Sequence, residues 1–397
     1  MTEMSKFSPQ SENSPTIKTL SVVKDKISLS IWNRIGEAQL LSRAKDFKKI
    51  AEGIQSNLFA QMENGLVAHG DSLDILKQIP DSTVSLILTD PPYHSTKKDN
   101  IYGDKSFAED QHFIDWMEGY AKEFARILKP NGSLYLFCAT QMSGRLEVSF
   151  SNHLKPLNHI TWTKPNDPGF DGWKGKMNKE SLKRWYPHSE RILFFEQKSF
   201  DPAHRSTLGH FLREARLQSG LSGHELTEII GEYGSVNHGG AVSNWEIGRN
   251  IPSRDQYRKM SDAFLSTKKV KSMPPYEDIV RPFNMSGDLE YMDVWNFPSV
   301  RPYRGKHPAE KPLDMLRHII NASSYEGDIV LDCFAGSGST GVASLNLNRL
   351  SVLIDIEEQW AKRAANRLED AELLPSNSQV TSIASRRVRK QAGDTLF

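Results

Sequence analysis

Two short apolar segments, residues 84–89 and 329–333, each end in an abrupt turn, the first rich in proline and the second in glycine. Continuous apolar runs of this length, alternating with helical patterns, are typical of parallel strands that a sheet buries on both faces. The alternation continues with strands at 66–69, 133–138 and 351–354 and with helices that end near 79, 128, 323 and 347. The sequence therefore predicts an α/β fold, with a doubly wound, mostly parallel sheet built from two separated parts of the chain.

The chain of 397 residues has room for such a domain and for an insertion. We predict a flexible N-terminus over 1–26, a first half of the α/β domain over 27–164, a mainly helical inserted region over 165–302, a second half over 303–373 and a flexible tail over 374–397. Its two cysteines, Cys138 and Cys333, lie far apart, which indicates neither disulfides nor a zinc site. Because no apolar run approaches the roughly 20 residues of a membrane span, we expect a protein of the cytoplasm without a membrane partner.

The glycine-rich turn follows the strand at 329–333 and reads Phe334-Ala335-Gly336-Ser337-Gly338. Glycines let a ligand approach the backbone closely, and the N–H groups of the following helix can receive a carboxylate. The next strand ends at Asp355, an acid that can accept hydrogen bonds from both hydroxyls of a ribose. These residues alone fit a dinucleotide as well as other nucleoside cofactors.

The proline-rich turn after residue 89 reads Asp90-Pro91-Pro92-Tyr93 and stands at the carboxyl end of a parallel strand, where open α/β sheets bind ligands. The exocyclic amine of adenine or cytosine is a poor nucleophile because its lone pair is delocalised into the ring. The Asp90 carboxylate and the Pro91 carbonyl can each accept one N–H of such an amine, so that the lone pair faces an electrophile. Tyr93 offers a flat face for a base extruded from the duplex. The alternative is an ordinary proline turn.

These two turns, together with residues 306–312 (Lys-His-Pro-Ala-Glu-Lys-Pro), resemble the β-class of bacterial and phage DNA amino-methyltransferases. The resemblance covers about 66–162 and 304–368, and it implies a circularly permuted Rossmann-like fold, base flipping and methyl transfer from S-adenosylmethionine, with S-adenosylhomocysteine as product. It assigns catalysis to Asp90, Pro91, Pro92 and Tyr93. It assigns cofactor binding to Asp71, Asp90, Lys306, Phe334, Ala335, Gly336, Ser337, Gly338, Ser339, Thr340 and Asp355.

Two of these cofactor positions have a second interpretation or depart from the family. Asp71 is equally well placed to cap the helix that follows it. Asp355 stands where the family more often has the longer glutamate, which puts its reach to the ribose in doubt.

The base that receives the methyl group is predicted by analogy. Members with Asp-Pro-Pro-Tyr mostly modify adenine N6, and cytosine N4 is the alternative. Chemistry at cytosine C5 would need a Pro-Cys nucleophile, which the chain lacks. Methylation of RNA or of a protein amide would instead favour Asn before the prolines. No residue pattern requires a metal, so we expect activity in the presence of a chelator.

Residues 205–265 resemble a helix-turn-helix domain of the Cro/C1 type, including the Gly-Leu-Ser break at 220–222 and the Trp-Glu-x-Gly-Arg-x-x-Pro pattern at 245–252. Gly223 replaces a common glutamine, and residues 232–240 lengthen the turn before the third helix. We expect duplex DNA as the partner. The family resemblance also implies that the protein could form a homodimer. We expect the protein to be associated with the nucleoid of a bacterial or phage-infected cell. The alternatives are a helical insert that never reads bases and a DNA-binding regulator with a non-catalytic methyltransferase scaffold.

The candidate DNA-binding residues fall into four segments: the loop after the catalytic turn, the strand near 162, the basic segment at 173–185 and the helix-turn-helix. They are Lys97, Lys98, Trp162, Lys174, Lys176, Lys183, Arg184, Asn237, His238, Ser243 and Asn244. For the lysines and Arg184 the alternative is a solvated charge, and for Trp162 it is a place in the core.

Overall fold

A computed structural model describes residues 36–94, 107–164, 180, 183, 185, 188–198, 206–231, 240–285 and 292–373. Its strands are β1 (Leu58–Gln61), β2 (Gly65–His69), β3 (Val84–Thr89), β4 (Leu128–Cys138), β5 (Leu154–Thr163), β6 (Ser189–Gln197), β7 (Val294–Asn296), β8 (Ile329–Asp332) and β9 (Leu350–Asp355). Its helices are α1 (Glu37–Gly53), α2 (Ser72–Leu76), α3 (Asp110–Ile127), α4 (Ser143–Phe150), α5 (Thr207–Ser219), α6 (Gly223–Ile230), α7 (Gly240–Glu246), α8 (Arg254–Ser266), α9 (Tyr276–Ile279), α10 (Leu313–Ser323), α11 (Ser339–Leu345) and α12 (Glu358–Leu373). Among these helices none combines the length and the apolar character needed to cross a membrane.

The strands form one sheet in the order β1-β2-β9-β8-β3-β4-β6-β5-β7. Strands β2, β9, β8, β3 and β4 are parallel, whereas β1 and β6 run antiparallel to their neighbours. The C-terminal strands β8 and β9 therefore lie between β2 and β3, so two distant parts of the chain complete one mixed α/β domain. The predicted Rossmann-like α/β class is confirmed.

Helices cover both faces of this sheet because successive side chains along a buried strand point to opposite faces. Ile87 of β3 packs with α1, α2, α3 and α4, whereas Leu86 and Leu88 pack with α10 on the other face. Helix α12 covers β2 and β9 through Ala361, Ala364 and Leu368.

The sheet contains strands that the sequence does not predict as core elements. Strand β6 lies inside the region expected to be an insertion, yet it pairs with both β4 and β5 along its length. Its four central residues, 192–195, are buried. The domain therefore uses part of 165–302 for its own sheet.

A buried ion pair ties α1 to the amino-terminal edge of the sheet, the edge at which the parallel strands begin. The Arg43 side chain is 2% exposed, and its Nε donates to Asp328 Oδ1 at 2.5 Å, immediately before β8. Its Nη1 also contacts Asp278 Oδ1 at 3.3 Å, just within α9. One guanidinium thus joins three elements that are distant in sequence.

Replacing Arg43 with alanine is expected to lower the free energy of unfolding by about 3–5 kcal/mol, because the Asp328 carboxylate would stay buried without its cation. Urea unfolding followed by circular dichroism measures the effect. Lys48→Ala is the matched control, since Lys48 pairs with Glu52 on the solvent side of the same helix and should contribute little. An equal change in both variants would contradict a special role for the buried pair.

The segment expected to be a helix-turn-helix contains four helices, α5 to α8, which we call the helical unit together with the connection up to residue 275. Its core is separate from those of the sheet and includes Leu212, Leu226, Trp245, Met260 and Phe264. Arg216 on α5 makes two hydrogen bonds to Glu246 at the end of α7. Capping boxes begin α6 at Ser222 and α8 at Ser253. Residues 232–239, which hold the lengthened turn, lie outside the described chain.

Candidate active site

The carboxyl ends of the parallel strands carry four acidic side chains. Asp90 follows β3, Asp332 ends β8, Asp355 ends β9 and Asp71 follows β2 by two residues. His69 of β2 is in register with Asp355, so the ends of β2 and β9 lie side by side. We call this the catalytic edge. The topology thus brings together the two turns that the sequence singles out.

The glycine-rich turn follows the backbone path that its glycines permit. Gly336 has φ +50° and Gly338 has φ +77°, both in the left-handed region that favours glycine. A Cβ at Gly336 would lie 3.1 Å from the His307 ring, so the turn is held close to the Lys-His-Pro segment. Burial and the nearby Lys311 lower the pKa of His307 to about 4, which keeps its ring neutral at pH 7.

Two buried aspartates hold this turn. Asp332 accepts hydrogen bonds from the Thr89 and Thr340 hydroxyls, at 2.8 and 2.6 Å, and from Phe334 N–H. Asp355 accepts from the N–H groups of Gly336, at 2.7 Å, and Glu357. Burial raises the pKa of each carboxyl group to about 6, although these hydrogen bonds oppose the shift.

Of the two roles predicted for Asp71, a cofactor contact and a helix cap, the structure shows the helix cap. Its Oδ1 accepts from the N–H groups of Leu73 and Asp74, which makes it the N-cap of α2. Each carboxylate oxygen of Asp71 and Asp355 can accept more than one hydrogen bond, so capping leaves acceptor capacity at the edge.

The residues of this cradle, between β2, β9 and the glycine-rich turn, have the chemistry to hold the ribose and amino-acid parts of a nucleoside cofactor. Asp71 and Asp355 supply acceptors at adjacent strand ends, and Gly336 supplies bare backbone. Phe334 lies against the rings of Trp116 and Tyr120, at 5.8 and 5.1 Å between centroids, which adds an apolar wall.

A second network of hydrogen bonds holds the glycine-rich turn from the side of α12. Arg367 of α12 donates to the backbone and side-chain oxygens of Ser337, each at 2.9 Å, and to the Ser339 hydroxyl at 3.2 Å. Glu310 accepts from Arg367 and Ser339, and it also accepts from the Tyr303 hydroxyl at 2.6 Å. This network connects α12, the turn and the Lys-His-Pro segment.

Substitution of Gly338 by alanine is expected to weaken cofactor binding about tenfold or more and to lower the melting temperature. The new Cβ would lie 2.9 Å from the backbone Cα of Ala364, and the positive φ would add strain. Isothermal titration with S-adenosylmethionine and thermal unfolding measure the two effects. Gly223→Ala is the control, because a Cβ there has no described neighbour within 4 Å. Unchanged binding in Gly338→Ala would refute close packing of this turn.

At the catalytic turn, Asp90 is paired on one side only. Its Oδ2 accepts a short hydrogen bond from the Lys311 ammonium. Its Oδ1 is buried and accepts no hydrogen bond from the described residues. The nearby Tyr93 hydroxyl donates its proton to Glu190 Oε2 at 3.1 Å. One carboxylate oxygen is therefore committed to Lys311, the other is buried without a described hydrogen-bond partner, and the neighbouring Tyr93 hydroxyl helps to oppose the rise in the pKa of Asp90.

The charges around Asp90 form a buried cluster. Glu190 contacts both Lys164 and Lys311. Burial raises the pKa of Asp90, Lys311 opposes this only in part, and Glu190 adds to the rise. For Glu190 itself, burial would raise the pKa, but Lys311 and Lys164 outweigh it and hold the pKa below its usual value.

Sequence reasoning does not find Lys311 and Glu190 as site residues. Lys311 belongs to the Lys-His-Pro segment, in which the resemblance assigns the cofactor contact to Lys306. Glu190 stands at the start of β6, a strand that the sequence analysis leaves within the insertion. A signal for Glu190 does exist in the sequence, since it stands two residues before the apolar stretch 192–195.

The candidate DNA-binding residues are only partly described. Trp162 is 2% exposed, and its indole N–H donates to Phe297 O at 2.9 Å. It packs in the core, so the prediction that it contacts DNA is not supported. Lys183 is exposed, and Ser243 and Asn244 are partly exposed on α7. Outside the described residues are Lys97, Lys98, Lys174, Lys176, Arg184, Asn237 and His238.

The glycine turn and the acidic proline turn thus lie together at the carboxyl edge of a parallel sheet, where open α/β sheets bind ligands. The family model N6_N4_Mtase, described as DNA methylase, matches residues 84–366. The chain belongs to this DNA methylase family.

Two curated relatives match this chain over most of their own length. The chain is 27% identical over 332 residues to "DNA adenine methyltransferase YhdJ" of Escherichia coli K12, covering 81% of this chain and 91% of the relative. It is 25% identical over 329 residues to "Type II methyltransferase M2.DpnII" of Streptococcus pneumoniae, covering 77% and 89%.

Solved structures with similarity include an M1.HpyAVI–SAM complex, with 20% identity, a TM-score of 0.43 and coverage of 76% of this chain and 97% of the other. The PvuII DNA methyltransferase, described as cytosine-N4-specific, has 18% identity, a TM-score of 0.45 and coverage of 81% and 92%.

Proposed function

We propose that this protein transfers a methyl group from S-adenosylmethionine to adenine N6 at specific sites in duplex DNA. The observation that carries this proposal is the carboxylate of Asp90, which Lys311 pairs at Oδ2 only and whose Oδ1 has no hydrogen-bond partner among the described residues at the catalytic edge. An acceptor at this position suits an exocyclic amine, which has two N–H donors.

The residues of the catalytic turn act by binding and orienting the amine. Asp90 Oδ1 accepts one N–H and the Pro91 carbonyl accepts the other, which draws the lone pair out of conjugation with the ring. The Tyr93 ring receives the extruded base, and its hydroxyl is fixed by Glu190. S-adenosylmethionine, when bound, supplies an electrophilic methyl group on a sulfonium. The amine would be placed for direct transfer without a covalent bond to the enzyme, S-adenosylhomocysteine would be the by-product, and the N–H that Asp90 Oδ1 accepts would be the proton that the methylated amine gives up.

We place the cofactor in the cradle of Asp71, Phe334, Gly336, Gly338 and Asp355. The remaining proposed contacts are Asp90, Lys306, Ala335, Ser337, Ser339 and Thr340. The Ser337 and Ser339 hydroxyls already bond to Arg367, so they are held in place before a ligand arrives. No metal takes part in this mechanism.

Adenine is our choice of base because the turn is Asp-Pro-Pro-Tyr and because the E. coli relative carries adenine in its name. Cytosine N4 is the second candidate, since the PvuII enzyme with the same general architecture is described as specific for that base. Both bases present the same kind of amine to Asp90.

We further propose that the helical unit is a helix-turn-helix that binds duplex DNA. Four helices stand where the sequence predicts them, and Ser243 and Asn244 are partly exposed on α7, the third helix, which would enter the major groove. The alternative is a DNA-binding regulator whose methyltransferase domain is inactive. The Asp90 Oδ1, which has no hydrogen-bond partner among the described residues, favours the enzyme.

The test is incubation of purified protein with unmethylated genomic DNA and S-adenosylmethionine, followed by nucleoside mass spectrometry. We expect N6-methyladenine. N4-methylcytosine would select the second base, and absence of both with retained duplex binding would favour the regulator.

A further inference from the structure

The helical unit is attached at the edge of the sheet opposite to the catalytic edge. The chain enters it after β6, which runs antiparallel to β4 and ends at Gln197, beside the first residue of β5. The chain leaves it through α9 and residues 280–285. The end of β6 and residues 280–285 thus both lie at the edge where the parallel strands begin.

Specific contacts fix this attachment. The Asn131 side chain, at the start of β4, donates to Glu277 O at 2.8 Å. Arg281 Nε donates to Glu196 Oε2 at 2.7 Å, near the end of β6. Asn284 N–H donates to Ala322 O at 2.8 Å, near the end of α10, shortly before β8 begins.

The core of the unit reaches this junction. Val280 is 4% exposed and packs in the core of the helical unit, while its neighbour Arg281 bonds to the sheet. The Tyr276 hydroxyl donates to Pro252 O at 3.0 Å, and Arg254 pairs with Glu277 at 2.8 Å. Helix α9 thereby joins α8 directly to the edge.

The two ends of the sheet are well separated. Strand β3 has six residues, which at roughly 3.3 Å each amount to about 20 Å of sheet. Asp90 lies at one end of it and the junction with the helical unit lies at the other. The junction with the helical unit is therefore about one strand length away from Asp90.

The exposed side of the helical unit carries charge that complements DNA. Arg249 follows α7, is exposed, and donates to Asn244 Oδ1 at 3.3 Å. Lys268 and Lys269 are exposed, and the Lys269 ammonium lies beside Gly220, just before α6. Exposed cations thus follow α7 and lie beside the start of α6, where they would attract phosphates, while α6 itself carries the exposed acids Glu225 and Glu228.

We propose that the helical unit holds a second segment of duplex DNA, separate from the segment whose base enters the catalytic edge. This proposal rests on the proposed DNA methylation and on DNA binding by the helical unit. It assigns anchoring on DNA to the unit and leaves recognition of the methylated site to residues at the catalytic edge.

The test compares full-length wild type with Arg249→Ala/Lys269→Ala, which removes two exposed cations of the unit. Arg258→Ala is the matched control, because Arg258 is an exposed arginine of the same unit that pairs with Asp255 on α8. First, the methylated sequence is mapped on genomic DNA. Second, a library of randomised duplexes of about 30 base pairs, lacking that sequence, is selected for binding to each protein.

We expect wild type and Arg258→Ala to enrich a common sequence. The double variant should bind that duplex about tenfold more weakly or worse, while its methylation rate on a duplex of about 14 base pairs with one mapped site changes less than about twofold. A parallel loss of methylation on the short duplex would show that the unit reads the target segment and would overturn the proposal. Failure of an active wild type to enrich any sequence would also overturn it. An inactive wild type would instead refute the proposed methylation, and this proposal with it.

Discussion

Replacing Asp90 with alanine is expected to reduce methyl transfer by about 10³-fold or more while S-adenosylmethionine still binds. The variant loses the buried acceptor Oδ1 that would orient the amine, and no other described carboxylate oxygen replaces it at the end of β3. Single-turnover transfer of a radioactive methyl group to DNA measures the rate. Isothermal titration with the cofactor measures binding.

The control is Asp115→Ala, which makes the same chemical change at an exposed position of α3. It should leave both measurements unchanged. If Asp90→Ala kept more than about one hundredth of the wild-type rate, the hypothesis that this carboxylate provides most of the catalysis by orienting the amine would be wrong. If it lost cofactor binding as well, Asp90 would serve chiefly the cofactor cradle.

The sequence predicts both turns of the site because each is a local motif. A buried strand followed at once by Asp90-Pro91 or by Phe334-Ala335-Gly336 needs no knowledge of distant residues, and parallel strands bring such turns to one edge. The split α/β domain follows from the same alternation of strands and helices.

The partners of Asp90 could not be predicted in this way. Lys311 is 221 residues away along the chain, and only the arrangement of β3, β6 and α10 brings it against Asp90 beside Glu190. The assignment of Trp162 to DNA fails for a related reason. An aromatic residue in a strand is equally suited to a core and to a binding surface, and burial of Trp162 between β5 and β7 decides for the core.

The position of the helical unit is also a property of the tertiary structure. The contacts of Asn131 with Glu277 and of Arg281 with Glu196 join residues far apart in sequence. The resemblance to a helix-turn-helix leads to the proposal that the unit binds duplex DNA, and the structure adds where the unit is attached.

Substitution of Lys311 by methionine is expected to lower the rate at neutral pH by about 10²-fold, because Asp90 and Glu190 would share a buried site without the cation between them. The amine needs Asp90 as a carboxylate, so activity is present above the pKa of Asp90 and lost as the pH falls through it. Burial already raises this pKa, and Lys311 is the main group that opposes the rise. Its removal must raise the pKa of Asp90 further, so the acidic limb of the pH–rate profile should move to higher pH.

The matched control is Lys164→Met, which removes the other cation of the same cluster but leaves Lys311 on Asp90. It should shift the profile less, since Lys164 contacts Glu190 and lowers the pKa of that residue. Recovery of the Lys311→Met rate at higher pH would show that the loss comes from protonation of Asp90, whereas a folding defect would not be reversed by pH. An unshifted profile in Lys311→Met would mean that Lys311 holds the position of Asp90 without controlling its charge.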